Sequence, residues 1–130
     1  MASIFTKIVK GEVPCYKVAE NEFFLAFLDL SPVAKGHTLV IPKNEIDYIF
    51  DLNTVEYAQL WEFSRMVAAA QKKVITCNRI GISVIGLEVP HAHVHLVPIS
   101  ELDDLNFSKE RLSFTDEEFK TIASSISSAI

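Results

Sequence analysis

Apolar residues recur along this chain with two periods, and the switches between them mark the elements. Ile4, Phe5 and Ile8 fall on one side of a helical turn and Ser3 stands where an N-cap belongs. Residues 3–10 therefore predict a short helix, ended by Gly11 and Pro14. Alternation then takes over. Residues 16–19 and 23–28 predict a hairpin turned at Glu20-Asn21-Glu22. After a loop marked by Ser31-Pro32 and Gly36, residues 37–41 predict a third strand, stopped by Pro42, with His37, Leu39 and Ile41 on one face.

The helical period returns at Asn53, which with Glu56 resembles a capping box and opens a helix from Thr54 to about Val74. Its apolar residues, among them Tyr57, Leu60, Trp61, Phe63, Met66, Val67 and Ala70, wrap more than half of it. One face suits a sheet and the other a second copy of the chain. Residues 79–85 predict a fourth strand, and His91-Ala92-His93-Val94-His95-Leu96-Val97-Pro98 a fifth. Residues 100–113 are irregular and begin acidic. Thr115 and Glu118 make a second capping box, opening a final helix towards Ile130. Strands in adjacent runs with helices at the ends and middle predict an α+β fold with a mostly antiparallel sheet. There is no internal repeat and no linker. Residues 1–130 read as a single domain, of which 100–130 form a C-terminal extension.

Composition narrows the function classes. With 49% hydrophobic and 22% charged residues over 130 positions, the chain can bury a core unaided. A net charge of −5 without a Lys/Arg run argues against nucleic acid as a partner, yet leaves room for a single nucleotide. Cys15 and Cys77 are isolated, which reads as free thiols in a reducing compartment. No stretch has the build of a signal peptide or a membrane span, so the cytoplasm is the expected location and no membrane partner is expected.

The chemistry sits in the fifth strand. Period two would place His91, His93 and His95 on one face, with Ala92, Val94 and Leu96 facing a core. Three readings are open: histidines that alternate for structural reasons, three ligands of a catalytic metal, or nucleophilic catalysis on phosphorus. The fourth histidine, His37, stands on the third strand and favours the last of these.

These residues resemble a known family. His91-x-His93-x-His95 followed by hydrophobics is similar to the motif of the histidine-triad superfamily. Gly36-His37 with Leu39-Val40-Ile41-Pro42-Lys43 resembles its N-terminal histidine strand. The run from Ile4 to Pro14 resembles its opening segment, and Phe24–Asp29 with Ser31-Pro32 its ribose-side strand and loop. The nearest branch is the Hint-like nucleoside phosphoramidases. The resemblance covers residues 3 to 99. It implies a five-stranded antiparallel sheet, dimerising into a continuous ten-stranded one across the long helix and a strand. It also implies hydrolysis or transfer of a purine nucleoside monophosphate through a covalent nucleotidyl-histidine, with no metal or other cofactor.

By the same resemblance, His93 would be the nucleophile, its other ring nitrogen donating to the backbone carbonyl of His91. His95 would contact phosphate oxygens, and His37 would pair with the His91 side chain. Asp29 would hold the ribose, while Ile4, Phe5, Ile8, Phe27, Leu30 and Val89 would enclose the substrate. The chain departs from the family at Glu88, which stands where a phosphate-binding hydroxyl is usual. It also carries Ser3-Ile4-Phe5-Thr6 where some relatives have zinc-binding cysteines, so no structural zinc is expected. A nucleotide-binding or sensing module with little catalysis, and a metal-dependent hydrolase using the three histidines as ligands, remain as alternatives.

Overall fold

The computed structural model describes residues 2–130. Helix α1 (Ile4–Val9) is followed by β1 (Lys17–Glu20), β2 (Phe24–Leu28), β3 (Thr38–Pro42), α2 (Thr54–Val74), β4 (Arg79–Ser83), β5 (Val94–Ile99) and α3 (Asp116–Ser128). Single 3₁₀ turns occur at Ile49–Asp51 and Leu102–Leu105. The strands form one antiparallel sheet in the order β1-β2-β3-β5-β4. The hairpin, the long helix and both capped helix starts stand where the pattern predicts them. Asn53 accepts from the Glu56 N–H, and Thr115 and Glu118 form the reciprocal box.

Period two sorts the sheet residues onto two faces. Phe24, Ala26, Leu28, Val40, Val94 and Leu96 face α2 and α3, packing with Leu60, Phe63, Val67, Phe119, Ile122 and Ile126 in the main core. The C-terminal extension is thus part of that core. Leu25, Phe27, Leu39 and Ile41 point the other way and are covered by Phe5 of α1. This second, thinner face carries the histidines. Among the described residues, no helix is long and apolar enough to cross a membrane.

Three strands are shorter than predicted, the second by Phe23 alone. The fourth stops at Ser83 rather than Ile85. The fifth begins at Val94, so that His91 and His93 precede it and only His95 lies within it. The cause is backbone partnering. The His91 N–H donates to the Val89 carbonyl at 2.8 Å and the Ala92 N–H to the Ile46 carbonyl at 2.7 Å, so neither joins the ladder. Alternation survives all the same, with Ala92, Val94 and Leu96 in the main core and the histidines opposite.

Candidate functional site

His95 is paired with Leu39 in the β3–β5 register, and His37 lies two residues before Leu39 on the same face. Diagonal neighbours at this spacing are within reach of long side chains. The His37 Nε2 and His95 Nδ1 atoms are 3.0 Å apart. Here the structure differs from the expected pairing of His37 with His91. His91 lies beyond Pro42, at the opposite end of β3. Its Nε2–H donates to the Pro42 carbonyl at 2.8 Å, and its Nδ1 lies 2.8 Å from the Ser3 hydroxyl.

Hydrogen-bond partners assign the tautomer of each ring. The Val33 N–H donates to His37 Nδ1 at 3.1 Å, so the His37 proton sits on Nε2 and is donated to His95 Nδ1. His95 then carries its own proton on Nε2, which has no protein acceptor among the described residues. Burial is the main cause that pushes these two rings down, to about 3 for His37 and about 4 for His95. Both are therefore neutral at pH 7. His91 is lowered as well, again mainly by burial. The Ser3 hydroxyl accepts from the Thr6 N–H, leaving its own proton for His91 Nδ1, and Glu45 accepts from the Ser3 N–H and the Thr6 hydroxyl. The N-cap of α1 thereby also holds His91.

His93 is set differently. Its Nδ1–H donates to the His91 backbone carbonyl at 2.7 Å, as expected, which leaves the Nε2 lone pair bare. The Phe5 ring packs edge-on against His93 at 5.0 Å and the His95 ring at 4.9 Å, so the imidazole is held on two sides. His93 opens onto a cavity of about 550 Å³, a volume ordinary for a small-molecule site. Seven of the other residues expected around a substrate line this same cavity: Ile4, Phe5, Ile8, Phe27, Asp29, Leu30 and Val89. His37, His91 and His95 do not line it and stand behind or beside it.

Asp29 accepts from the Ser31 N–H at 2.8 Å, and its other oxygen lies 3.6 Å from His37 Nε2. Burial raises its carboxyl, while the Ser31 N–H and the nearby Arg111 act in the opposite direction. Glu88 also lines the cavity and adds to the rise at Asp29. The departure seen in the sequence therefore faces the site.

Two contributors come from the irregular segment after β5 and carry no periodic signal that could have announced them. Phe107 roofs the histidine pair, its ring 4.8 Å from His95 and 5.9 Å from His37. Arg111 lines the cavity and lies over the Phe107 ring at 5.4 Å. As for metals, the three motif histidines do not converge, because both nitrogens of His91 are engaged elsewhere. Among the described residues the donors that do converge are Asp29, His37 and His95, within 4.8 Å of one another. Cys15 and Cys77 are free thiols.

A family model described as HIT domain matches residues 10–102. The chain is 36% identical over 136 residues to the adenosine 5'-monophosphoramidase of Schizosaccharomyces pombe, covering 100% of this chain and 99% of that protein. Among solved structures it is similar to a HIT-like protein involved in cell-cycle regulation from Bartonella henselae, with a TM-score of 0.85 and 27% identity over 98% of this chain and 96% of that one. It is similar also to a zinc-bound histidine triad family protein from Mycobacterium smegmatis, with a TM-score of 0.82 and 28% identity over 98% and 95% of the two chains.

Proposed function

The chain belongs to the HIT domain family, and from that premise we propose that it is a nucleotide hydrolase, cleaving purine nucleoside phosphoramidates through a nucleotidyl intermediate on His93. The observation that carries this reading is the bare Nε2 of His93, fixed by the bond from Nδ1 to the His91 carbonyl and opening onto a nucleotide-sized cavity. The phosphoramidase name borne by a relative that aligns along its whole length supports the substrate class.

The chemistry follows from the tautomers. His93 Nε2 attacks the α-phosphorus, forming an N–P bond as the substrate's own P–N bond breaks, and the departing amine takes a proton from solvent. His95 offers its Nε2–H to a phosphoryl oxygen, where developing charge is greatest. Water then attacks phosphorus and releases a proton to solvent, the His93–P bond breaks with its electron pair returning to Nε2, and a nucleoside monophosphate leaves. His37 keeps the His95 proton on the useful nitrogen, and His91 supplies the carbonyl that does the same for His93. Asp29 accepts from the ribose hydroxyls, and Phe5, Ile8, Phe27 and Val89, with Ile4 and Leu30 at the rim, enclose a purine. No metal or other cofactor takes part in this scheme.

We further propose that the chain, one folded unit over residues 1–130, works as a homodimer in the cytoplasm, with neither nucleic acid nor membrane as partner. Strand β4 is at the edge of the sheet, and it presents Ile82, followed by Val84 and Ile85, to solvent. Met66, Val55 and Val74 of α2 are exposed as well.

The deciding experiment is intact-protein mass spectrometry after rapid quenching of protein mixed with an adenosine phosphoramidate in the presence of a chelator. A transient gain of one AMP, absent in His93→Ala, is expected. Full turnover by His93→Ala would sink the mechanism. Bound AMP with neither adduct nor product would make the protein a nucleotide-binding module, and product formed only without chelator would make it a metal hydrolase.

A further inference from the structure

The charges lining the cavity are out of balance for an anionic ligand. Asp29 and Glu88 both face it, and a nucleotide brings a phosphate besides. Among the described residues, Arg111 is the one lysine or arginine in the lining. His37 and His95 supply no second cation near neutral pH.

The guanidinium of Arg111 is held in place before any ligand arrives. One Nη–H donates to the Ser31 carbonyl at 2.7 Å and the other nitrogen donates to the Phe107 carbonyl at 3.2 Å. The Phe107 ring supports its face. The backbone is tied too, because the Leu112 N–H donates to the Pro32 carbonyl at 2.9 Å. A guanidinium has five N–H donors, and these contacts use two of them. The rest belong to a group that shares a cavity wall with His93 and Asp29. Planar donors on a pre-ordered cation suit a phosphoryl group better than a flexible ammonium does.

We propose that Arg111, delivered by the C-terminal extension of the same chain, is the anion-binding residue of this cavity: it pairs with the phosphoryl group of the bound nucleotide and offsets Asp29 and Glu88. The proposal rests on the nucleotide reading above. A merely structural Arg111 would clamp the Asp29–Pro32 loop to Phe107 and serve every ligand alike.

Titration calorimetry of the full chain with AMP and with adenosine separates the two roles. Arg111→Met is expected to weaken AMP binding about tenfold or more while weakening adenosine binding far less, and Arg111→Lys to restore part of the loss. Added salt should weaken AMP binding to the wild type more than to Arg111→Met. Glu88→Gln, on an exposed residue, should tighten AMP binding without affecting adenosine, and it keeps the test alive if the arginine variants misfold. Equal losses for AMP and adenosine, or an AMP affinity indifferent to Arg111, Glu88 and salt, would overturn the proposal with the nucleotide reading intact. A wild type that binds neither ligand would overturn both.

Discussion

At the scale of single residues, the site is built from where the protons sit on four imidazole rings. His37 and His95 are neutral because they are buried against one another and beneath Phe107, so the fold favours their uncharged forms. That preference has a sign. Their folded values, about 3 and about 4, lie below the ordinary value near 6.5, so the unfolded chain binds more protons in between. The stability they contribute is fully present above pH 6.5 and is lost as pH falls towards 4 and then 3. Within that window each ring costs about 1.4 kcal/mol per pH unit. The strongly lowered carboxylates Glu20 and Glu45 have values of about 2 and unperturbed ones near 4.5, so the interval from pH 7 to 5 belongs mainly to histidine. Urea melts across that interval should show stability falling with pH. His37→Gln keeps a donor and an acceptor but cannot titrate, and it should flatten the slope. An equal slope in that variant would assign the acid sensitivity elsewhere.

At the scale of elements, the histidines owe their places to contacts between α2 and the sheet. Gln71 of α2 is fully buried and its Nε2 donates to the carbonyls of Gly36 and Leu96, at 2.9 and 3.0 Å. One side chain thus ties the residue before His37 to the residue after His95. Gly36 itself has φ +87°, which strains any side chain, and a Cβ there would press on the Ile75 side chain at 3.1 Å, so glycine is favoured between the helix end and the strand start. Gln71→Leu removes one donor from each of two buried carbonyls, the Gly36 carbonyl keeping the Thr38 hydroxyl at 2.8 Å, and should cost about 1 kcal/mol, read as a lower denaturation midpoint. An unchanged midpoint would mean that water or rearranged backbone satisfies both carbonyls.

At the scale of the molecule, the two edges of the sheet differ. The β1 edge is flanked by α3, whose Phe119 stacks on Tyr16 at 4.8 Å, while the β4 edge presents apolar residues to solvent. An open edge of this kind invites a second strand. Sedimentation should therefore find a species of twice the 14.6 kDa chain mass, and Ile82→Lys should convert it to monomer with the fold intact. A wild type that sediments as a monomer would remove the dimer from the proposed function.

Much of this was legible in the sequence, for reasons that are local. Period two in residues 24–28 and 38–42 set the faces of the sheet, and Ser3, Asn53 and Thr115 set three helix starts, because caps and pleats depend on neighbours along the chain. The bond from His93 Nδ1 to the His91 carbonyl also spans only two residues, but it was expected from the family resemblance and not from a local pattern. What spans the fold was decided by the tertiary structure. Register put His37 against His95 rather than His91, a choice made by which end of β3 each ring faces. Backbone bonds to Val89 and Ile46 delayed the start of β5. The Ser3 hydroxyl reached His91 across 88 positions of chain, and Phe107 closed over the histidine pair, with Arg111 on its ring, from a segment without periodicity. Such contacts depend on where a chain returns to itself, and no local pattern records that.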